Sequence, residues 1–349
     1  MEMLIKVLNS GWQALVEYLL QHTVTCLVPA FFIAGAIFTF ISREAVLKYF
    51  GPNANKLLAY GVASVSGTIL AVCSCTVLPL FAGIFRVGAG IGPAITFLYS
   101  GPAINVLAIA YSARLLGVEL GIARAFGAVV FSILIGLLMA FIYRKEEAAK
   151  KQNAIQPFLV ADGKTTDWHR LGMLSLMVAI LLTATAKISA PIKWPLVALE
   201  ITGVILASKF WFEKEEIKTW IEETRKLAYQ IVPLLLIGVF LAGLIKALLP
   251  PSWVASFVGK NTVLANLVAS LSGTLMYFAT LTEVPIIKAL LELGMDKGPA
   301  LALLLAGPAL SLPSMLALGK IMGTRKTVAY VILVVIFSTL AGYLYGMIT

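Results

Sequence analysis

Charged residues are scarce in this sequence. Among its 349 residues, 13% are Asp, Glu, Lys or Arg, whereas 60% are hydrophobic. A soluble domain of this length cannot bury so large an apolar fraction in one core, so the composition excludes an ordinary soluble enzyme or binding domain. Apolar runs of roughly 18 or more residues recur along the chain, and each can cross about 30 Å of hydrocarbon as a helix. The sequence therefore predicts an all-α, polytopic transmembrane helix bundle.

Cysteine is also rare, and the three residues of this type (Cys26, Cys73 and Cys75) all lie in apolar stretches. An odd number of cysteines in a large chain argues against a disulfide framework, which leaves the thiols themselves as candidate ligands. The sequence lacks a G-x-x-x-x-G-K-[ST] phosphate loop, so a pump with its own ATP motor is disfavoured. We expect no cofactor and no enzymatic activity.

The formal net charge is +10, a value that suggests a nucleic-acid partner in a soluble protein. Here Lys and Arg lie in the short connections, where positive charge sets topology or meets anionic lipid. We therefore expect the lipid bilayer and a small-molecule solute as partners, and no nucleic acid. The sequence leaves the oligomeric state open.

The apolar segments follow an N-terminal stretch, residues 1–22, whose helical periodicity predicts an amphipathic helix on the membrane surface. That stretch shows no cleavable signal peptide. We expect about ten segments, with eight spans plus two re-entrant segments as one arrangement. They lie at about 24–42, 57–86, 90–113, 120–143, 171–189, 194–212, 229–249, 261–290, 297–319 and 327–348.

Two connections, 144–170 and 213–226, carry the densest charge in the chain. Because two segments separate them, both connections lie on the same side of the membrane. They are rich in Lys and Arg, so the positive-inside rule places them in the cytoplasm. The sequence thus predicts a multi-pass protein of the cell inner (plasma) membrane.

An internal repeat is the main organisational signal. The second copy matches the first at 206 residues' distance, since 272−66 = 285−79 = 298−92 = 307−101. We interpret the repeat as a duplication. It divides the chain into an interfacial helix at 1–22, transmembrane repeat 1 at 23–143, cytoplasmic loops with two linking transmembrane helices at 144–228, and transmembrane repeat 2 at 229–349. The matches are Ser66-Gly67-Thr68 with Ser272-Gly273-Thr274, Pro79 with Pro285, Gly92-Pro93-Ala94 with Gly298-Pro299-Ala300, and Gly101-Pro102-Ala103 with Gly307-Pro308-Ala309.

Duplicated bundles are typical of secondary transporters, whose solute site lies between the repeats. The repeated residues are helix breakers, which a membrane tolerates only where protein or a cavity satisfies the freed backbone groups. Tight packing of small residues between helices is the alternative. Segment 57–86 overshoots the bilayer if it is straight, because thirty residues span roughly 45 Å; this favours a re-entrant element and inverted copies over parallel ones. The predicted broken-helix positions are Gly67, Gly101, Pro102, Gly273, Gly307 and Pro308.

The first copy carries two thiols at its break. Cys73 and Cys75 diverge on a helix but point the same way on an extended segment, where they would form a chelating pair. Thiolates select soft ions such as Cu(I), Zn(II) or trivalent arsenic, so this pair is also the candidate metal or metalloid site. The alternative is that both are buried as small hydrophobes. The predicted substrate-binding residues are Cys73, Ser74, Cys75, Thr76, Pro79, Asn105 and Thr282.

The second copy carries an acid in the corresponding region. A carboxylate such as Glu283 is costly inside a membrane and is a functional candidate by default, so Glu283 is the predicted proton-coupling group. The structural alternative is a hydrogen bond to Thr280 or Thr282, or an ion pair with Lys288. Glu200, another acid in an apolar segment, is expected to form a contact between helices.

At these residues the sequence resembles the ArsP-type predicted permease family of organoarsenical efflux permeases and their relatives. The resemblance rests on C-S-C-x-x-x-P (Cys73, Cys75 and Pro79), on the Gly-Pro-rich span that follows, and on T-E-V-P (Thr282 to Pro285). It covers nearly the whole chain. It implies an inner-membrane permease, some of whose relatives expel trivalent organoarsenicals through thiol contacts, with Cys73 and Cys75 as the ligands.

The sequence thus predicts a secondary transporter that exports a soft, thiol-reactive solute such as a trivalent organoarsenical in a proton-coupled reaction. A transporter of another sulfur- or metal-containing solute, or a membrane-embedded dithiol redox protein, is the alternative. The C-x-C spacing, with no His or basic group near it in sequence, disfavours the redox protein. A passive channel is disfavoured because the two copies differ in side chains.

Overall fold

Helices make up the protein, as a computed structural model shows for residues 2–20, 28–40, 55–70, 74–153, 167–185, 189–248, 257–275 and 283–349. Those residues form sixteen α-helices and no strand. The first seven helices are α1 (Glu2–Tyr18), α2 (Val28–Phe40), α3 (Lys56–Leu70), α4 (Ser74–Val87), α5 (Ile91–Ala103), α6 (Val106–Leu116) and α7 (Val118–Ile142). The remaining nine are α8 (Arg144–Asn153), α9 (Asp167–Thr185), α10 (Ala190–Trp211), α11 (Lys214–Leu248), α12 (Val263–Leu275), α13 (Glu283–Glu292), α14 (Lys297–Ala309), α15 (Leu312–Ile321) and α16 (Thr324–Ile348).

Length and apolar composition allow several of these helices to cross a membrane. In the described part of the chain, four single helices (α7, α10, α11 and α16) qualify, and the number rises to six if each bent helix pair is one span. The prediction of a polytopic helical bundle is confirmed. Two of the predicted spans, 120–143 and 327–348, are the long straight helices α7 and α16.

Both bent pairs lie where the sequence has its second Gly-Pro pair. Helices α5 and α6 meet at 47°, and α14 and α15 meet at 44°. Pro102 and Pro308 occupy the last turns of α5 and α14, where a missing N–H and the proline ring favour the end of a helix. By contrast, Gly92-Pro93 and Gly298-Pro299 lie in first turns, where proline is tolerated, so these two pairs are not breaks.

The described residues of the two longest predicted segments, 57–86 and 261–290, belong to two helices in each case. In the first segment α3 ends at Leu70 and α4 begins at Ser74; in the second α12 ends at Leu275 and α13 begins at Glu283. Pro79 lies inside α4 rather than at its start, and Pro285 is the third residue of α13. The prolines therefore do not mark where these helices end.

Helix α11 corrects the interpretation of 213–226 as a loop, because it runs unbroken for 35 residues, Lys214–Leu248, and has the length and apolar composition of a membrane span. One face of its charged half packs on α2. The Trp220 indole Nε1 donates to the Phe32 carbonyl oxygen at 2.9 Å, and the Phe40 ring contacts those of Phe212 and Trp220. The dense charge of this stretch conceals the helix in the sequence, although two of its acidic side chains, Glu216 and Glu223, are buried with Trp220.

Helix α1 packs along the other half of α11. The Ser10 hydroxyl donates to the Gly243 carbonyl oxygen at 2.9 Å. A Cβ on Gly243 would lie 2.8 Å from the Gly11 Cα, so glycine on α11 permits this close approach of two backbones. The predicted N-terminal helix is therefore packed against a span, and its place at the membrane surface stays a prediction.

The core centres on α5 and α14, which contact each other and are buried almost throughout. Helices α3, α4 and α7 pack on α5, and helices α12, α13 and α16 pack on α14. The bounds of α5 and α14 differ by 206 residues at both ends (297−91 = 309−103), as do those of α7 and α16 (324−118 = 348−142). The offset seen in the sequence motifs thus also relates the helices around the core.

Candidate functional site

Arg124 provides a buried cation inside the bundle. It lies in α7, and its side chain is fully buried. Its Nη1 donates to the Ser112 Oγ at 2.9 Å and its Nε donates to the Ala103 carbonyl oxygen at 3.3 Å. Ala103 ends α5, so its carbonyl is one of those that a helix end leaves without an intrahelical donor. The bend between α5 and α6 therefore supplies an acceptor for the guanidinium.

Glu283 is the anion of the same site. It is the first residue of α13, a favourable place for a carboxylate, and it is fully buried. Its Oε1 lies 3.7 Å from the Arg124 Nη1, which is an ion-pair distance but too long for a hydrogen bond. Among the described residues, neither carboxylate oxygen of Glu283 nor the Nη2 of Arg124 has a hydrogen-bond partner. Charge attraction therefore holds Arg124 and Glu283 together, and the Arg124 Nη2 and both Glu283 oxygens can still form hydrogen bonds with a further group.

Two buried tyrosines complete the polar centre. The Tyr99 side chain, on α5, interacts electrostatically with Arg124 and lies beside Ser338 of α16. The Tyr330 side chain, on α16, interacts with Tyr99, and its hydroxyl donates to the Ala309 carbonyl oxygen at 3.3 Å. All four groups are fully buried. The site therefore draws on α5, α7, α13 and α16, which belong to both copies.

Tyr330 is the counterpart of Arg124, because 330−124 = 309−103 = 206. Each side chain donates to the last carbonyl group of the buried helix in its own copy, at 3.3 Å in both cases. The counterpart of Glu283 at the same offset is Val77, which is buried. The equivalent positions of the two predicted repeats therefore hold an ion pair in one case and a tyrosine with an aliphatic residue in the other.

Helices α7 and α16 run in opposite directions. At one end, the Tyr143 hydroxyl donates to the Arg325 carbonyl oxygen at 3.1 Å. At the other end, Glu119 interacts electrostatically with Tyr345. Between these ends, the rings of Phe131 and Phe337, which are also 206 residues apart, lie 5.5 Å apart.

A contact between equivalent residues in antiparallel helices is what a twofold axis perpendicular to both helices produces. Other contacts follow the same reciprocity. Helix α4 of the first copy packs on α15 of the second, and α13 of the second copy packs on α6 of the first. Each of the short helices α4 and α13 thus contacts the second helix of the other repeat's bent pair.

The predicted thiol site lies only partly within the described residues. Cys73 and Thr282 fall outside them, as does Cys26. Ser74 and Cys75 form the start of α4, so Cys75 is helical rather than extended. The buried Thr76 follows in the same turn. Whether the two thiols form a pair stays a prediction. In the part of the chain that the structure describes, no group of three or more His, Cys, Asp or Glu side chains could hold a metal ion.

The remaining predicted residues surround the bends. Asn105 is buried between α5 and α6, and its counterpart Ser311 caps α15 by accepting from the Ser314 amide at 3.3 Å. Gly273 lies inside α12, where an added Cβ would approach the Gly307 backbone nitrogen to 3.2 Å. Gly67 likewise lies inside α3. These two glycines occur within helices, and Gly273 serves close packing.

The alternative partners of Glu283 can be compared with the structure. Lys288 faces Glu292 of its own helix at 4.0 Å, so the suggested pairing of Lys288 with Glu283 is wrong. Thr280 and Thr282 lie outside the described residues. For Glu200, the expected helix contact is confirmed, since the Thr183 hydroxyl of α9 donates to its Oε1 at 2.9 Å.

The sequence interpretation missed Arg124. A signal was present, because this arginine lies one turn inside the apolar segment 120–143, where a charged residue is costly. Sequence alone gives it no partner, since its ion-pair partner is 159 residues away (283−124 = 159). Only the packing of one copy on the other brings the two charges together.

Comparison with known proteins identifies the family. The family model described as predicted permease, ArsP_1, matches residues 10–347. The chain belongs to this family. A UPF0718 protein of Methanocaldococcus jannaschii is 48% identical over 100% of this chain and 98% of its own length. The UPF0718 protein YraQ of Escherichia coli is 21% identical over 88% of this chain and 74% of its own length. No solved structure gives a significant match.

Family and helix composition together make this permease a multi-pass membrane protein. The resemblance found in the sequence is thereby confirmed at the level of the family. A permease acts on a small-molecule solute, so the transporter class also holds. The substrate, the coupling ion and the direction of transport are matters for proposal.

Proposed function

We propose that this permease is a secondary transporter that works by alternating access between two inverted copies, with its site at the Arg124–Glu283 pair. One observation carries the proposal: a fully buried ion pair joins the two copies beside a bent helix. Ionisable groups inside a membrane bundle mark solute or proton pathways. Inverted repeats with broken helices at their interface are typical of secondary transporters.

The duplication is part of this proposal. The matching bounds of α5 with α14 and of α7 with α16, and the antiparallel contact of Phe131 with Phe337, support an inverted repeat. Helix α1 packs on α11, and the first half of α11 packs on α2. Because these two contacts are reciprocal, we include in each copy the amphipathic helix that precedes it. Movement of one copy against the other would then expose the shared site to each side in turn.

Glu283 is the proposed proton-coupling group. It is the partner that can change charge, because the guanidinium of Arg124 stays protonated in proteins. Protonation of Glu283 would remove the attraction that joins the copies across a 3.7 Å gap. The gain and loss of one proton would therefore change which arrangement of the two copies is stable.

The proposed solute is a soft, thiol-reactive compound such as a trivalent organoarsenical, which Cys73 and Cys75 would bind and which the permease would export. This part rests on the C-x-C motif and on the affinity of thiolates for soft centres. The dithiol redox protein is second to it, because a redox role gives no function to the buried ion pair. Thiol alkylation separates the two: protection by solute supports binding, and a cycle between dithiol and disulfide supports redox chemistry.

We also propose an inner-membrane location with 144–170 in the cytoplasm. The end of α7 and the start of α16 bring basic residues to one face, where Lys326 pairs with Glu146 at 2.8 Å. Positive charge of this kind marks cytoplasmic faces. The basic residues there are Arg144, Lys145, Arg325 and Lys326. A membrane-impermeant maleimide should label Lys145→Cys only after the inner membrane is opened, and should label Val118→Cys in intact spheroplasts.

Transport in proteoliposomes tests the function. Vesicles loaded with pyranine, a pH-sensitive dye, would be exposed to methylarsenite or arsenite under an imposed pH gradient. We expect the wild type to couple solute flux to proton movement and Glu283→Gln to lose the pH-dependence of flux. The matched control is Lys297→Gln, which alters an exposed pair with Glu119. A Glu283→Gln protein that keeps the wild-type pH profile contradicts the coupling role.

Cysteine substitutions test the solute. Replacing Cys73 and Cys75 together with Ser should abolish flux of methylarsenite while leaving the fold intact. Undiminished flux in this variant would contradict the thiol-ligand proposal and leave the transporter proposal standing.

A further inference from the structure

The charges of the site constrain what it can bind. The guanidinium of Arg124 is fully buried and stays positive, so it needs a compensating anion in every state in which it remains buried. In this structure the anion is the protein's own Glu283 carboxylate. Any state in which Glu283 is protonated therefore requires another anion beside Arg124.

The way the guanidinium is held leaves room for such an anion. Its Nε and Nη1 donate to Ala103 and Ser112, which fix its position, whereas Nη2 has no hydrogen-bond partner among the residues described. Arg presents a planar fork of donors that fits the two oxygens of a carboxylate or another oxyanion. Glu283 does not use this fork fully, because its nearest oxygen lies 3.7 Å from Nη1.

Among the described residues, no other charge on the helices packed against α13 replaces Arg124 in this balance. Helices α6 and α14 pack on α13, and the Arg124 side chain reaches it from α7. The electrostatic interaction that acts on Glu283 is with Arg124. The other charged or titratable groups of these helices are Tyr111 (half-buried), Arg114 (exposed), Lys297 paired with Glu119, and Lys288 paired with Glu292.

We infer that Arg124 binds an anionic group of the solute, a carboxylate or other small oxyanion, which takes the place of Glu283 as that carboxyl accepts a proton. This inference rests on the proposed function and names the substrate class of the same site. The proton and the anion bind together, since only their joint binding keeps the buried charge balanced. The solute that fits this site best thus carries a negative charge, so a neutral arsenical such as methylarsenite should be carried less well than a trivalent arsenical that bears a carboxylate.

The stability of two variants in different anions tests this inference. In Glu283→Gln the guanidinium has lost its internal anion and must take one from the buffer. In Arg124→Gln with Glu283→Gln there is no charge to balance. Purified protein would be heated in sodium chloride, with part of the chloride replaced by acetate or inorganic phosphate at constant ionic strength.

We expect acetate or phosphate to raise the Tm of Glu283→Gln by about 2 °C or more at ten times the Kd, because a ligand that binds only the folded state stabilises it. The double variant should show no such rise. In the wild type the rise should be small at pH 8 and should grow as the pH falls and Glu283 is protonated. Equal behaviour of the single and double variants in all the anions would overturn the inference.

The outcome separates this inference from the proposed function. Proton-driven flux of a neutral arsenical by a wild type whose Glu283→Gln variant gains no stability from anions would support the transporter and refute the anion site. Anion-dependent stability of Glu283→Gln without proton-driven flux of any solute would support the site and count against the transporter. A Glu283→Gln protein too unstable to purify would be replaced by Glu283→Ser, for which the same rise is expected.

Discussion

The two copies agree in how their helices pack and differ in the side chains at their centre. In both, a glycine of the last helix lies against a glycine of the buried helix. A Cβ on Gly136 would lie 2.7 Å from the Gly92 carbonyl oxygen, and one on Gly342 would lie 2.5 Å from the Gly298 carbonyl oxygen. These positions are 206 residues apart (342−136 = 298−92), so the packing is the same contact made twice.

At the centre the copies diverge. Arg124 and Glu283 form an ion pair, while Tyr330 and Val77 occupy the positions that the 206-residue offset makes equivalent to them. Packing glycines cannot change in one copy without loss of the helix contact. Side chains that serve chemistry can change if one copy of the site suffices. We infer from this difference that the helix packing requires both copies, whereas one copy of the charged site is sufficient.

The largest effect should follow from removing one charge. Glu283→Ala leaves a buried guanidinium without its anion, and loss of one partner of a buried pair costs about 3–5 kcal/mol. The equivalent change, Val77→Ala, removes only buried methyl groups and should cost roughly 1–3 kcal/mol. Guanidinium chloride unfolding, followed by tryptophan fluorescence, measures both. Equal losses of unfolding free energy in the two variants would mean that the ion pair contributes no more to stability than the Val77 side chain does.

A double substitution can make the two sites alike. Arg124→Tyr with Glu283→Val copies the second site onto the first, and the new tyrosine should donate to Ala103 as Tyr330 donates to Ala309. Because a buried ion pair is often no more stable than apolar residues of similar volume, stability should stay within about 1 kcal/mol of the wild type. Proton-coupled flux should nevertheless vanish. Flux in this variant would place the site elsewhere.

Substitution of the shared glycines should affect both copies alike. Gly136→Ala and Gly342→Ala each place a methyl group against a backbone carbonyl, which cannot swing aside as a side chain does. Each should cost about 1–3 kcal/mol. Gly319→Ala, at a position with open space around it, is the control. A loss of stability in only one of these two variants would contradict the equivalence of the two glycine contacts.

Ser112→Ala tests how the guanidinium is held. It removes the 2.9 Å hydrogen bond to Arg124 and should cost roughly 1.5–3 kcal/mol, because the donor is charged. Its counterpart at the same offset is Leu318, which has no such bond to lose. Proton coupling should persist in Ser112→Ala with a changed affinity for the anion. If unfolding is unaffected, the serine has no role in holding Arg124.

The smallest change in stability should follow from loss of the exposed ion pair between Lys297 and Glu119. The Lys297 Nζ lies 3.5 Å from the Glu119 Oε2. Solvent screens such pairs, so Lys297→Gln should change the free energy of unfolding by less than about 0.5 kcal/mol. Flux should be unchanged. A large effect would show that solvent does not screen this pair.

Some of the architecture could be predicted and some could not. The helix breakers at Gly101-Pro102 and Gly307-Pro308 predict bends because proline lacks an N–H, and the bends are present. The charged stretch 213–226 was predicted as a loop and is helical from Lys214, because dense charge resembles a loop until the packing of Trp220 on α2 is seen. Pro79 also misled, since a proline does not by itself end a helix.

Local sequence features predicted the membrane environment, the helical character of the apolar segments, the 206-residue offset and the bends at the second Gly-Pro pairs. These follow from local quantities: hydrophobic length, the period of the repeat and the backbone chemistry of Gly and Pro. Only the tertiary structure decided that α7 and α16 run antiparallel and that Arg124 faces Glu283. Those facts depend on which distant helices touch, and no property of either segment alone specifies its partner.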